Sequence, residues 1–211
     1  MLIRLNIKEK AFGKKVIFKN TKIEIEKKDF VVIYGESGIG KSTLLKMLGF
    51  IDGFNGEYYF EDKLIEKKER EKTRINNFSY LFQDSFLIPY LSVFDNIILP
   101  LKNLKMYIDE KDVFAIADRL KIKDLLNRKV ENLSGGEATR VAMARAIIAN
   151  RPILIVDEPT GNLDSENAKS VMEILKEENE NGKTIIMVSH SKEFQNFFNK
   201  TIKIEKKKIV W

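Results

Sequence analysis

The first thirty residues alternate apolar and polar side chains, as in Leu2-Ile3-Arg4-Leu5-Asn6-Ile7 and Ile23-Glu24-Ile25-Glu26, and a period of two predicts half-buried antiparallel strands. The pattern then changes. Phe30-Val31-Val32-Ile33-Tyr34 is continuously apolar up to Gly35, as expected of a strand covered on both faces. Ser42 to Leu48 carry apolar residues at helical spacing, with Gly49 as the stop. Gly56 to Ile65 predicts a strand pair around Asp62-Lys63, and the densely charged 66–77 is expected to be exposed. From about Asp84 to Asn132 the period becomes helical, with Val113, Ile116, Ala117 and Leu120 on one stripe.

Buried strands return at Ile153 to Val156 and Thr184 to Val188, separated by a helix whose apolar positions include Ala168, Val171, Met172 and Leu175. Strand, helix, strand in that order predicts an α/β fold with a mostly parallel core sheet. Thr201 to Trp211 predicts a last hairpin around Lys206-Lys207. No repeat or low-complexity tract interrupts the pattern, so 1–211 reads as one domain: 1–83 and 133–211 form a core with an antiparallel N-terminal β region, and about 84–132 form a helical insertion.

Composition changes this picture little. A chain of 211 residues buries enough apolar surface to fold without staples. Zero cysteines exclude disulfides and thiolate metal sites. No apolar run approaches the roughly 18 residues of a spanning helix, and Met1 to Asn6 lacks a signal-peptide layout, so the chain is expected to be soluble. Its net charge of +6 comes from 37 basic and 31 acidic side chains that are intermixed, which fits solvated faces better than a nucleic-acid surface.

Three segments carry candidate chemistry. Gly35-Glu36-Ser37-Gly38-Ile39-Gly40-Lys41-Ser42 has phosphate-loop spacing between a predicted strand and helix. Its glycines let backbone N–H groups converge on phosphate oxygens, Lys41 adds a full positive charge, and Ser42, followed by Thr43, suits Mg²⁺. Ile153 to Glu158 delivers two carboxylates at a strand's carboxyl end, where open α/β sheets bind ligands; Asp157 suits the metal and Glu158 suits a general base for an attacking water. Ser134-Gly135-Gly136-Glu137 has capping-box spacing ahead of a helical pattern through Val141, Ala144, Arg145 and Ile148. Two consecutive glycines cost entropy that a cap does not need, and would let a helix start approach a phosphate.

Leu133-Ser134-Gly135-Gly136-Glu137, placed between the phosphate loop and Asp157-Glu158, resembles the signature of the ATP-binding cassette (ABC) ATPases, and the similarity spans nearly the whole chain. The resemblance implies a nucleotide-binding subunit that works with ATP and Mg²⁺ and forms a homodimer on ATP binding, with Ser134, Gly135 and Gly136 meeting the partner's γ-phosphate. Residue by residue, it puts Gln83 on the metal and the reacting water, Asp164 at the dimer seam and His190, the sole histidine, near the γ-phosphate. Phe12 stands where an aromatic stacks on adenine, although a place in the core is an open alternative. Glu137 replaces the more common glutamine and is expected to face away from the triphosphate.

Phe82 to Leu101, together with Gly161-Asn162 before Leu163-Asp164, resembles the macrolide-export, lipoprotein-release and antimicrobial-peptide-export branch. That implies an integral membrane permease as partner, a cytoplasmic place on the inner face of the membrane, and export of a peptide, lipid or drug-like substrate. Phe86, Leu87, Ile88 and Tyr90 either line a groove for a permease helix or lie buried beneath the helical insertion. Regulation of cell-wall remodelling or division through a membrane partner is the rival function. DNA-repair and translation cassettes fit less well, since neither a long coiled coil nor a second cassette is present.

Overall fold

The computed structural model describes every residue except 162, 191, 192, 206, 207 and 211, and leaves the side chains of 208–210 undescribed. Asn162, the Lys206-Lys207 turn and Trp211 therefore lie outside the described residues. The predicted N-terminal alternation becomes a hairpin of β1 (Ile3–Phe12) and β2 (Lys15–Ile25), antiparallel with Ile3 opposite Ile25. β4 (Asn55–Phe60) and β5 (Lys63–Leu64) extend it into a four-stranded antiparallel sheet of order β2-β1-β4-β5. The β4–β5 turn falls at Glu61-Asp62, both with positive φ, one residue before the expected position.

The second sheet is built from β3 (Phe30–Gly35), β6 (Phe78–Leu81), β7 (Ile153–Asp157), β8 (Thr184–Val188), β9 (Lys200–Glu205) and β10 (Lys208–Val210), in the order β10-β9-β3-β8-β7-β6. All pairings are parallel except β9 with β10, which form the expected terminal hairpin. Side chains alternate across this sheet. Phe30, Val32, Leu154, Val156, Ile185 and Met187 join one apolar cluster, whereas Val31, Ile33, Ile153, Ile155, Ile186 and Val188 join another on the opposite face. Burial on both faces explains why these strands read as unbroken apolar runs.

The second cluster is completed by α1 (Lys41–Leu48) and the antiparallel sheet. The first holds α3 (Val93–Asn103), α4 (Glu110–Arg119), α5 (Gly135–Ile148) and α6 (Ser165–Glu180). Val113, Ala117 and Leu120 of the predicted stripe are fully buried, and α3 and α4 both pack on α5. The charged 66–77 segment, expected only to be exposed, forms α2 (Arg70–Asn77) with no buried residue; Ile75 is its only apolar side chain, so no run of apolar positions marks it. No helix among the described residues is long and apolar enough to cross a membrane.

One buried ionic cluster ties the helices of the 84–132 segment to α6. Glu178, its side chain 5% exposed, lies 2.6 Å from Arg119 Nη1 and 2.6 Å from Lys183 Nζ. Burial would raise its carboxyl pKa, but hydrogen bonds from Lys183 and Arg119 outweigh burial and hold it below the ordinary glutamate range. A depressed folded-state value means that the stabilisation is present above the unfolded pKa of about 4.3 and is lost as pH falls through the folded value. Glu178→Gln should therefore lower stability by about 2 kcal/mol near neutrality, or about 4–8 °C in melting temperature. Thermal unfolding followed at several pH values should show the gap close in acid, and equal melting temperatures at pH 7 would remove the cluster's stabilising role.

Candidate functional site

The phosphate loop connects the end of β3 to the start of α1, and its shape depends on a glycine at the junction. Gly40 has φ 115°, and a Cβ there would sit 2.6 Å from Ile17 Cγ2 and 3.1 Å from Phe18 Cζ. Both the left-handed backbone and the contact with β2 exclude a side chain. Lys41, 5% exposed, turns back over the loop and donates to the carbonyls of Gly35 and Glu36, each at 2.9 Å. Burial lowers its pKa, and the nearby carboxylates of Glu158 and Asp157 oppose that shift. A cation already poised over converging backbone can exchange carbonyl oxygens for phosphate oxygens.

Opposite Lys41, Ser42 Oγ donates to Asp157 Oδ1 at 3.3 Å. Burial raises the Asp157 pKa, and the adjacent Glu158 charge raises it further. A hydroxyl and a crowded carboxylate converge as hard oxygen donors, which fits Mg²⁺ shared with phosphates better than a closed protein cage. Thr43 follows, half-buried, in the first turn of α1. Gln83 is exposed two residues beyond the end of β6. Leu81 pairs with Val156, so Gln83 is as far past that pairing as Glu158 is.

Glu158 is the first residue past β7 and adopts φ 47°, a left-handed conformation rare for a side-chain-bearing residue. Its N–H donates to Val188 O at 3.1 Å, anchoring it to β8, and its Oε1 lies 2.8 Å from Nε2 of His190. Backbone strain of this kind is maintained where the surroundings over-determine it, often at reactive sites. Two site candidates far apart in sequence are thus in direct contact, beside a cleft of about 560 Å³ lined by Tyr34, Gly35, Glu36, Ile39, Ser189, His190, Lys203, Ile204 and Glu205. Phe12, at the tip of the β1–β2 hairpin, is 53% exposed and so is not a core residue; Lys10 Nζ sits 4.5 Å from its ring centre.

The tetrad Ser134 to Glu137 does not border this cleft. It forms the predicted capping box at the start of α5. Glu137 Oε2 accepts from both Ser134 N and Ser134 Oγ at 2.7 Å. The cap geometry is the cause, since a carboxylate at the third helical position reaches the unsatisfied N–H of the cap residue. A Cβ at Gly135 would meet nothing within 4 Å, and one at Gly136 only Arg140 Nη1 and Leu163 Cδ2 at 3.8 Å. The chain's own packing does not require this glycine pair.

Asp164 caps α6, accepting from Asn167 N at 2.9 Å and from Asn167 Nδ2 at 2.6 Å. Asn167 Oδ1 in turn accepts from Arg140 of α5 at 2.7 Å. Asn167 thereby links the signature helix to Asp164, a role that sequence reading missed; its position three residues after a capping aspartate was the available signal.

The Phe86 to Tyr90 segment divides between the two alternatives left open by the sequence. Phe86, 66% exposed, borders an apolar groove of about 400 Å³ with Phe78, Phe82, Leu99, Leu104 and three arginines, Arg74, Arg145 and Arg151. Leu87 packs on the helical cluster, and Ile88 is fixed by reciprocal hydrogen bonds with the buried Asn96 side chain. Tyr90 is 72% exposed and outside the groove. Arg145 of α5 donates to Phe86 O at 2.7 Å and Ser85 O at 2.5 Å.

Comparison with known proteins gives a consistent result. The family model for ABC transporters matches residues 18–161. A lipoprotein-releasing system ATP-binding protein LolD of Aquifex aeolicus is 39% identical over 213 residues, covering 97% of this chain and 94% of that protein. The macrolide export ATP-binding/permease protein MacB of Campylobacter jejuni is 36% identical over 187 residues, 86% of this chain but 29% of that longer protein. Among solved structures, the dimeric post-hydrolysis state of the ATP-binding cassette MJ0796 bound to ADP and Pi, from Methanocaldococcus jannaschii, superposes with a TM-score of 0.88 at 30% identity, covering 100% of this chain and 97% of that one.

Arg145 supplies two side-chain hydrogen bonds to the turn after Gln83, at Ser85 and Phe86, beside those that Asn96 makes with Ile88. Arg145→Ala should raise amide hydrogen exchange across 84–91 by about tenfold or more through local opening, with little change in the middle of α5. Exchange measured by mass spectrometry checks this, and an unchanged 84–91 segment would show that the turn holds itself.

Proposed function

Because the chain belongs to the ABC transporter family and is an ATP-binding, ATP-hydrolysing subunit of the LolD and MacB type, we propose that two copies clamp two ATP molecules between them and power a separate membrane permease. The observation that carries this reading is the division of the site. Gly35, Glu36 and Ile39 of the phosphate loop line one cleft with His190, which contacts Glu158, and Lys41 feels the charges of Glu158 and Asp157; Ser134 to Gly136 do not border that cleft, and the glycine pair has room that the chain itself leaves unused. A second copy supplies what is missing, and the dimeric state of the similar cassette supports that arrangement.

In this reading the loop N–H groups and Lys41 hold the triphosphate, with Phe12 offering a ring face to adenine. Mg²⁺, when bound through Ser42, Asp157 and Gln83, neutralises developing phosphate charge. Glu158 takes the proton of the attacking water, and His190 orients the Glu158 carboxylate through their 2.8 Å contact. Ser134, Gly135, Gly136 and Asp164 meet the nucleotide of the other copy. Closing completes the site, so binding performs the mechanical step and hydrolysis resets it.

The α3–α4 region, about 84–132, acts as the helical lobe against a core of 1–83 and 133–211. Its groove, apolar with three arginines and no acidic lining residue, suits an amphipathic permease helix bearing a carboxylate. In this reading the chain sits on the cytoplasmic face of the membrane, with the groove against the permease. Export of a peptide, lipid or drug-like substrate is the direction supported by the Phe82–Leu101 resemblance and by the printed roles of the LolD and MacB relatives.

Two substitutions test the reading. Glu158→Gln keeps shape but removes the base, so turnover should fall by about 10²–10⁴-fold, and size-exclusion chromatography with Mg-ATP should show a trapped dimer; full activity would rule out Glu158 as the base. Lys41→Ala removes the buried cation, so ATP affinity should fall by about tenfold or more, at least about 1.4 kcal/mol, and unchanged binding by calorimetry would refute that role.

A further inference from the structure

We propose that Glu137 restrains the signature serine and thereby sets the ATP concentration at which two copies close. This rests on the reading that Ser134 faces the partner's nucleotide. A serine hydroxyl has one proton to give. Here that proton goes to Glu137 Oε2 at 2.7 Å, the same oxygen takes the Ser134 N–H at 2.7 Å, and Ser134 Oγ accepts from Glu137 N at 3.4 Å. The carboxylate is charged: the Ser134 hydroxyl and backbone hydrogen bonds, with Arg128 and Arg140 behind them, hold its pKa below the ordinary glutamate value.

An anionic phosphate entering the open space beside Gly135 must therefore do two things. It must take the Ser134 proton from a charge-assisted hydrogen bond, and it must approach a negative charge one helical turn away. Glu137 is in effect an internal anion on the helix start that a nucleotide would use. A glutamine at this position keeps a carbonyl able to close the capping box but carries no charge, so it stabilises α5 without competing for phosphate. Glu137 is a positioning residue whose action on nucleotide runs through Ser134 and through its field.

The experiment uses the full chain in the hydrolysis-deficient Glu158→Gln background and measures dimer fraction against ATP concentration by light scattering. Adding Glu137→Gln should lower the half-point by about threefold to tenfold, and the gap should narrow as ionic strength rises toward about 1 M, where screening acts within about 3 Å. Glu137→Asp keeps the charge on a side chain too short to grip Ser134 and should fall between the two. Glu131→Gln, an exposed charge change just outside the tetrad, should shift nothing. Circular dichroism and the melting temperature establish that each variant is folded.

A half-point that stays put or rises in folded Glu137→Gln, or a gap indifferent to salt, overturns the proposal while leaving the clamp intact. Should the Glu158→Gln protein stay monomeric at saturating Mg-ATP, the seam itself is wrong and the role of Glu137 falls with it.

Discussion

Charge held at the carboxyl ends of adjacent parallel strands is the constraint around which the molecule is arranged. β3 leads into Lys41, β7 delivers Asp157 and Glu158, and β8 delivers His190. Lys41 and Asp157 are both buried below a tenth of their surface, and each is pushed toward its neutral form by that burial. The two carboxylates repel, and the Ser42 hydroxyl, Lys46 and Lys41 relieve Asp157 while His190 contacts Glu158. In the proposed function, a divalent cation would supply positive charge beside the carboxylates and a triphosphate negative charge beside Lys41. Ligand binding thus resolves an electrostatic conflict that the fold maintains through burial of both sheet faces.

The sequence exposed those parts of the fold whose physics is one-dimensional. Phe30 to Tyr34 and Ile153 to Val156 are legible as buried strands because both faces of the sheet are covered, and the Ser134–Glu137 capping box follows from a spacing of three. What it hid was three-dimensional. Arg70 to Asn77 folds with Ile75 as its only apolar side chain, so a reading of apolar positions passes over it. The His190–Glu158 contact joins residues on neighbouring strands, and Asn167 matters only because Arg140 reaches it from another helix. The same spacing of three accounts for the Glu137 carboxylate on Ser134 N, whereas its further grip on the Ser134 hydroxyl is visible only in three dimensions.

α5 connects three of the assigned surfaces, the signature, the Asp164 cap and the groove. Its first turn carries the signature, Arg140 reaches Asn167 and through it Asp164, and Arg145 holds the turn bearing Phe86 at the edge of the groove. All three contacts originate on one continuous helix whose Val141, Ala142, Met143 and Ala144 are buried to within 1%. A helix packed so fully moves as a unit. In the proposed dimer, α5 therefore connects the groove offered to a permease helix with the signature offered to nucleotide.

That geometry also constrains where tuning can occur. Alterations in the buried middle of α5 disturb the core before they disturb communication, because packing there leaves no slack. Its ends are different: Glu137 is near the surface and Arg145 reaches outward to backbone carbonyls. A change at either end alters how strongly α5 is held in its resting position while leaving its packing intact. A glutamate in place of an uncharged residue at the first turn fits this logic, since it adds stability to the helix start and resistance to an incoming anion in a single side chain.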